Sequence, residues 1–188
     1  MQTQNETVKS FLKLFIVIVF ILLGFFLVVS FEFIRGNSME PNYLTGEIVL
    51  VNKALNYFGE FKRSDVVVLI SPGDNAQHFV KRIVGIPGDT VEIVDCSVFI
   101  TGDEGENGAK NERYMLEESY LSKKRCTELG SFFQFDAAIT VGPGEYFVLG
   151  DNRYDSADSR LFGLIEENRL IGKVFFRVWP VWSFGSVG

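Results

Sequence analysis

One uncharged apolar run near the amino terminus constrains this chain more than any other feature. Leu14 to Phe31 contains no charged residue and is interrupted only by Gly24 and Ser30. As a helix the run would be roughly 27 Å long at 1.5 Å per residue, close to the roughly 30 Å hydrocarbon core of a bilayer. The sequence therefore predicts one membrane-spanning anchor, which we place at residues 14–34.

A cleaved signal peptide is the alternative interpretation of this run. Its apolar core would span only about 7–15 residues and end at a pair of small residues. The run here is longer and ends without such a site, which favours a retained anchor. One anchor predicts a single-pass plasma-membrane protein. Lys9 and Lys13 precede the anchor and Arg35 follows it, and this bias of positive charge predicts a cytoplasmic amino terminus. Residues 1–13 would be cytoplasmic and residues 35–188 would be extracytoplasmic.

Composition limits what the extracytoplasmic part can bind. About 150 residues remain after the anchor, and a domain of that size buries roughly 68–70% of its unfolded surface. The net charge of −6 and the lack of a basic stripe argue against nucleic acid as a partner. His78 is the one histidine of the chain, which excludes a multi-histidine metal site. We expect neither a metal nor a cofactor.

Short β-branched runs separated by turns predict a mainly β domain, of folded-sheet or barrel type. The segment 101–130 is charged and contains glycines, and we expect a surface insertion there with a weak helical stretch near 114–121. The predicted strands cover residues 48–53, 65–70, 79–85, 90–94, 97–100, 138–141, 146–149 and 170–178.

Ser38 lies a few residues beyond the anchor, in the segment 36–42. Gly36 permits backbone angles that other residues resist, and Pro41 fixes its own φ. A serine on such a turn can be exposed and rigid at once, as a nucleophile requires. The alternative is a polar linker beside the membrane.

Lys81 lies within the predicted strand 79–85. Because side chains alternate along a strand, Lys81 shares a face with Ile83 and Gly85. Burial of a charged lysine is costly, so its pKa falls, and a neutral amine can act as a general base. The alternative is a lysine that extends to solvent at a sheet edge.

The segment 150–160 is rich in side chains that hydrogen-bond to backbone and hold loops. Asp158 and Arg160 could form a bidentate ion pair. Such a loop could form a rigid wall for a site, and the alternative is a solvated turn.

Three motifs in this order resemble the type I signal peptidases. They are Ser38-Met-Glu-Pro after the anchor, the segment 81–89, and the segment 150–160. The resemblance extends from the anchor to the Trp-Pro pair at 179–180. It implies a β-rich, membrane-anchored serine endopeptidase that removes signal peptides from exported preproteins and cuts after small residues of the Ala-x-Ala type.

The resemblance also implies a role for individual residues. Ser38 matches the nucleophile and Lys81 its general base, in a Ser-Lys dyad. Ser156 matches a serine that hydrogen-bonds to the lysine, and Asp158 and Arg160 match a supporting ion pair. The positions that match the substrate pocket are Met39, Phe79, Val80 and Ala157.

Two positions depart from the family pattern. The Ser38 backbone N–H should stabilise the oxyanion. Some members add a serine hydroxyl two residues earlier, but Gly36 stands there, so the second donor is left open. Asn42 replaces the more usual threonine, and we expect no effect on the chemistry.

Cysteine and aromatic residues leave two further alternatives open. Cys96 and Cys126 could form a disulfide in an oxidising compartment or stay as free thiols. Trp179, Trp182 and Phe184 could lie in the membrane interface or in the core.

Three other functions compete with the signal-peptidase interpretation. A self-cleaving repressor would need a DNA-binding head, and this chain has an apolar helix instead. A peptide-binding module without catalysis would not need both Ser38 and Lys81. A Ser-His enzyme would depend on His78, which the strand pattern places on the face opposite Lys81.

Overall fold

The computed structural model describes residues 2–73, 76–102, 112–121, 126–133 and 138–186. Helix α1, Gln2–Val28, is followed by a domain built almost entirely of strands, which confirms the predicted fold class. Within the described residues, only the part of α1 from Lys9 to Val28 is long and apolar enough to cross a membrane. All of its side chains there lie outside the folded domain.

The carboxyl end of the anchor was predicted wrongly. The helix ends at Val28, and strand β1, Val29–Phe33, pairs antiparallel with β2, Ile48–Asn52. A strand forms here because it satisfies its backbone groups on β2 and places Ile34 in the core, where it is 2% exposed. No linker separates the apolar helix from the sheet, so β1 starts where the helix ends.

The larger sheet is antiparallel and forms the body of the domain. Its β-branched residues suit a pleated surface, and residues 66–69 are buried on both faces. The strand order is β1, β2, β11 (Leu170–Trp179), β3 (Val66–Ile70), β4 (His78–Gly85), β9 (Glu145–Leu149) and β10 (Ile165–Glu166), with β12 (Gly185–Ser186) beside β11.

Strands β1 and β4 run in the same direction within the larger sheet. Each step from β1 through β2, β11 and β3 to β4 is antiparallel. The first and last strands of that series therefore run in the same direction. Bulges in β11 next to Phe176 and Arg177 add curvature.

A second, four-stranded sheet is built around the predicted hairpin. Its turn is tight, with Asp95 and Cys96 at positive φ. The strand order is β7 (Glu112–Met115), β6 (Ser97–Gly102), β5 (Thr90–Val94) and β8 (Ala138–Thr140).

All eight predicted strands are present, with ends within two residues of the prediction. The prediction of a weak helix near 114–121 was wrong. Glu112–Met115 instead pairs as a strand with the open edge of β6, and Arg113 stacks on Phe99. The prediction that the segment 101–130 lies at the surface was wrong in part, since Thr127 is 1% exposed. Residues 103–111 and 122–125 of that insertion lie outside the described residues.

Two short helices and three apolar clusters complete the domain. The helices are α2, Leu55–Phe58, and α3, Ser159–Phe162, with 3-10 turns at Ser131–Phe133, Glu167–Arg169 and Val181–Ser183. One cluster lies between the two sheets around Phe147 and Val91. The other two pack on opposite faces of the larger sheet, around Met39 and around Leu69.

Cys96 and Cys126 are joined by a disulfide with a sulfur–sulfur distance of 2.02 Å, which decides between the two alternatives for these cysteines. The bond connects the β5–β6 turn to the segment that carries Thr127, whose N–H donates to Cys96 O at 3.1 Å. The disulfide therefore joins the smaller sheet to the buried end of the insertion.

We expect reduction of this disulfide to destabilise the domain by about 3–4 kcal/mol, because the bond closes a loop of 30 residues in the unfolded chain. Urea denaturation with and without reductant would measure the change. The double variant Cys96→Ser, Cys126→Ser is the control and should not respond to reductant. Neither cysteine lies in the three motifs. We therefore expect the reduced protein to keep its activity at urea concentrations too low to unfold it. Two alkylatable thiols in the unreduced protein would contradict the pairing.

Candidate active site

Ser38 is held in the turn between β1 and β2. The Glu40 N–H donates to Asn37 O at 3.1 Å and the Tyr43 N–H donates to Met39 O at 3.0 Å. Gly36 has φ 80°, a left-handed conformation that favours glycine. The Met39 side chain is 1% exposed, so it anchors the turn in the core and leaves Ser38 half-buried.

Lys81 and Ser38 are in direct contact, although 43 residues separate them in sequence. The Lys81 Nζ lies 2.7 Å from Ser38 Oγ and 3.1 Å from Val80 O. The Lys81 residue is 2% exposed, so its amine is almost fully removed from water. The structure thus brings together the two residues that the sequence proposed as a pair.

Burial lowers the pKa of Lys81 from its ordinary 10.5 to about 8, because the charged form loses hydration. Asp158 and Asp151 act in the opposite sense, and Arg160 adds to the lowering. The Phe79 ring centre lies 5.1 Å from Nζ. A large share of the amine is therefore neutral in mildly alkaline solution.

The predicted ion pair of Asp158 and Arg160 is confirmed, and it is bidentate. The Arg160 Nε and a terminal nitrogen donate to the two carboxylate oxygens, each at 2.8 Å. Asp158 is 0% exposed and also accepts from the Gly150 N–H at 3.0 Å. The pair fixes both ends of the segment 150–160.

This segment contacts the serine turn through its backbone. The Asn152 N–H donates to Ser38 O at 3.0 Å, and its Nδ2 donates to Asn37 O at 3.1 Å. A Cβ at Gly150 would lie 2.4 Å from Ser38 O. Only glycine therefore allows this close approach.

A buried polar network beneath the turn was not predicted. The Arg82 Nε and a terminal nitrogen donate to Asp151 at 2.9 and 2.7 Å. The Asn42 Nδ2 donates to the same carboxylate and to Tyr120 O, both at 2.8 Å. Asn42 connects the serine turn to two other segments, a structural role beyond the expectation that it does not affect the chemistry. Alternation along β4 could have indicated the network, because an inward-facing Arg82 requires an anionic partner.

The insertion also supports the site from outside the motifs. Tyr120 stacks on Arg82, with 4.0 Å from the guanidinium carbon to the ring centre. Glu118 forms an ion pair with the buried Arg153 of the segment 150–160. The part of the insertion from 116 to 121 is thus packed against the loop that holds Ser38.

Ser156 does not make its predicted bond. Its Oγ is buried without a hydrogen-bond partner among the described residues, and Lys81 Nζ donates to Ser38 and Val80 instead. The Ser156 hydroxyl packs against Gly150, where an added Cβ would lie 2.2 Å from it.

The four predicted pocket residues are only partly brought together. Met39 and Val80 pack in one cluster, which also contains Ile34. Phe79 points to the other face of β4 and packs around Leu69, because neighbours in a strand alternate. Ala157 is exposed. Met39 and Val80 therefore pack together, whereas the assignment of Phe79 and Ala157 to the substrate pocket stays a prediction.

A groove lies between β1 and β4 and extends to Phe79, whose ring centre is 5.1 Å from Lys81 Nζ. Within the described residues, β1 pairs only with β2, and β4 pairs with β9 only from Arg82 onward. The free edges of β1 and of the first half of β4 approach each other, where His78 Nδ1 lies 3.1 Å from Glu32 Oε2. The cavity between them measures about 370 Å³ and is lined by Glu32, Phe33, Arg35, Gln77, His78 and Phe79.

The Asp158→Asn variant should be destabilised by about 3–5 kcal/mol, because it leaves the Arg160 guanidinium buried without an anion. Urea denaturation measures the change. Glu92→Gln is the matched control, since the Arg113–Glu92 pair is exposed and should contribute less than about 1 kcal/mol. Equal losses in the two variants would contradict a structural role for the Asp158 pair.

Comparison with known proteins identifies the family of this chain. The family model described as signal peptidase, peptidase S26, matches residues 5–179. "Signal peptidase I" of Bacillus amyloliquefaciens is 40% identical over 152 residues, which cover 78% of this chain and 72% of the relative. "Signal peptidase IB" of Staphylococcus aureus (strain COL) is 34% identical over 173 residues, with 89% and 86% covered. A signal peptidase I crystal structure from Enterococcus faecalis V583 is 32% identical, covers 61% of this chain and 96% of its own, and has a TM-score of 0.44.

The β domain, the apolar helix, the family model and the two relatives define a peptidase with an amino-terminal helix that can span a membrane. The chain belongs to the signal peptidase family, peptidase S26.

Proposed function

We propose that this protein is a single-pass membrane serine endopeptidase that removes signal peptides from exported preproteins. Ser38 is the nucleophile and Lys81 is its general base. The observation that carries the proposal is the 2.7 Å contact between Ser38 Oγ and the buried Nζ of Lys81. A base must lie within hydrogen-bond reach of the proton that it removes, and this distance meets that requirement.

The chemistry follows from the lowered pKa of Lys81. Its neutral amine accepts the Ser38 hydroxyl proton while Oγ attacks the scissile carbonyl. The ammonium then gives that proton to the leaving amine, and an acyl-enzyme remains on Oγ. A water molecule, deprotonated by the same amine, attacks the ester and restores Ser38. The Ser38 N–H makes no hydrogen bond among the described residues and is available to the oxyanion.

The groove suits an extended substrate whose leader is still in the bilayer. Strand β1 begins at the end of the anchor and points toward Ser38, and β4 runs in the same direction. A preprotein that enters from the membrane side would lie between the two free edges, parallel to both. Its backbone would add hydrogen bonds as a further strand. Residues before the cut would lie beside residues 32–35 and 77–80.

Cleavage should require small side chains at the first and third positions before the cut. Side chains of an extended peptide alternate, so these two point toward the wall that contains Met39 and Val80. Overpacking typically costs about 1–3 kcal/mol, so we expect roughly a 5- to 150-fold loss of kcat/KM for leucine at the first position. The second position should be permissive. The measurement is a preprotein series with each position varied separately, with the cut mapped by mass spectrometry. Equal cutting after leucine and alanine would contradict signal-peptide processing.

The same proposal includes the bilayer as a partner and an extracytoplasmic catalytic domain. Positive residues precede the apolar helix, which supports a cytoplasmic amino terminus. Trp179, Trp182 and Phe184 are 48%, 81% and 63% exposed, so they do not fill the core. Exposed tryptophan and phenylalanine side chains support contact with the membrane interface.

A Ser-His mechanism has less support. The His78 ring bonds to Glu32 at the groove edge, whereas Ser38 Oγ bonds to Lys81.

A further inference from the structure

Glu32 and His78 lie on the inner side of the groove. Along β1, Glu32 shares a face with Ile34, and along β4, His78 shares a face with Val80. Ile34 and Val80 both pack in the cluster of Met39. The two polar side chains therefore continue the same wall away from Ser38. They meet through His78 Nδ1, which donates to Glu32 Oε2 across the groove at 3.1 Å.

We propose that the Glu32–His78 pair determines specificity for the third residue before the cut, by limiting both the size and the charge of that side chain. The inference rests on the proposed function. It adds a polar boundary to a site whose predicted wall, made of Met39 and Val80, is apolar.

Strand geometry assigns the pair to the third position. His78 precedes Val80 by two residues, or roughly 6.6 Å along the strand. Side chains of a parallel substrate strand repeat at the same interval. If the first residue before the cut lies against Val80, the third lies against His78 and, across the groove, Glu32. The second residue points away from both.

The chemistry of the pair gives the direction of selection. The Glu32 side chain is 18% exposed and that of His78 is 49% exposed. The bond between them closes the inner side of the groove, so a leucine there must displace it. A lysine on the substrate would have to compete with His78 for the Glu32 carboxylate. Removal of His78 should therefore admit larger residues and basic residues, whereas removal of Glu32 should admit larger residues only.

The experiment uses the full chain in lipid vesicles and preproteins with alanine, leucine or lysine at the third position. In His78→Ala, we expect kcat/KM for lysine relative to alanine to rise about fivefold or more, with a similar rise for leucine. In Glu32→Ala, only the leucine ratio should rise. In Glu32→Gln, which keeps the size of the side chain, the lysine ratio should not rise. Arg113→Ala disrupts an exposed pair on the other sheet and is the matched control.

Unchanged third-position ratios in both alanine variants would overturn the inference, and so would a shift confined to the first position. Cleavage of the alanine preprotein by the wild-type protein separates this failure from that of the proposed function. If the wild type cuts it and the ratios stay constant, only the Glu32–His78 assignment fails. If the wild type does not cut it, the proposed function fails.

Discussion

The Ser38→Ala variant is expected to lose preprotein cleavage by roughly four to six orders of magnitude in kcat/KM. The reason is that, in the described part of the chain, Ser38 carries the one hydroxyl bonded to Lys81 Nζ, so the variant lacks the oxygen that would form the acyl-enzyme. The fold should be unchanged, because Ser38 Oγ bonds only to Lys81 among the described residues and the turn is held by backbone bonds. The measurement is single-turnover cleavage by the purified full chain, together with its melting temperature.

Two further variants make this result specific. Ser97→Ala, on the smaller sheet, removes a hydroxyl remote from the groove and should cleave like the wild type. Ser38→Cys should keep a small residual rate, since a thiolate is also nucleophilic. Activity above background in Ser38→Ala would remove Ser38 as the nucleophile.

The rate of cleavage should rise with pH through about 8 and then level off. Only the neutral amine of Lys81 can accept the serine proton, and burial lowers its pKa to about 8. Deprotonation therefore activates the enzyme: below that pKa, kcat/KM should fall about tenfold per pH unit, and at pH 7 about a tenth of the enzyme is competent. If the base were instead an exposed lysine, with a pKa near 10.4, the rate of cleavage would still be rising above pH 9.

The Lys81→Met variant should abolish cleavage without unfolding, because it removes the amine and fits a site that is already dry. Lys62→Met, at an exposed lysine, should keep both the rate and its pH profile. A flat profile in the wild type, or retained activity in Lys81→Met, would exclude Lys81 as the base.

Local pattern was sufficient for much of the fold. The eight predicted strands are β-branched runs closed by turn residues, and such runs can be identified as strands without knowing which strand they pair with. The helix end at Val28 was not predicted, because Val29, Phe31, Phe33 and Ile34 continue the apolar character of the run past the end of the helix. They become a strand only because β2, which comes later in the chain, offers backbone partners. The same is true of β7, which depends on the open edge of β6.

The pairing of Ser38 with Lys81 was predicted from a resemblance to motifs, and no local pattern states that two residues 43 apart will meet. The support beneath them was not predicted, because it is built from outside the motifs. Asn42 and Tyr120 lie 78 residues apart and meet only once the insertion folds back on the turn. The separation of Phe79 from Val80 could be predicted from the sequence, because neighbouring side chains of a strand point to opposite faces.

The most direct test of the account is a double-mutant cycle on Ser38 and Lys81. It compares kcat/KM for one preprotein in the wild type, in Ser38→Ala, in Lys81→Met and in the double variant. If the two residues act as one catalytic unit, each single variant loses nearly everything and the double variant loses no more than either. Losses that multiply in the double variant, or substantial activity in either single variant, would contradict the Ser-Lys mechanism.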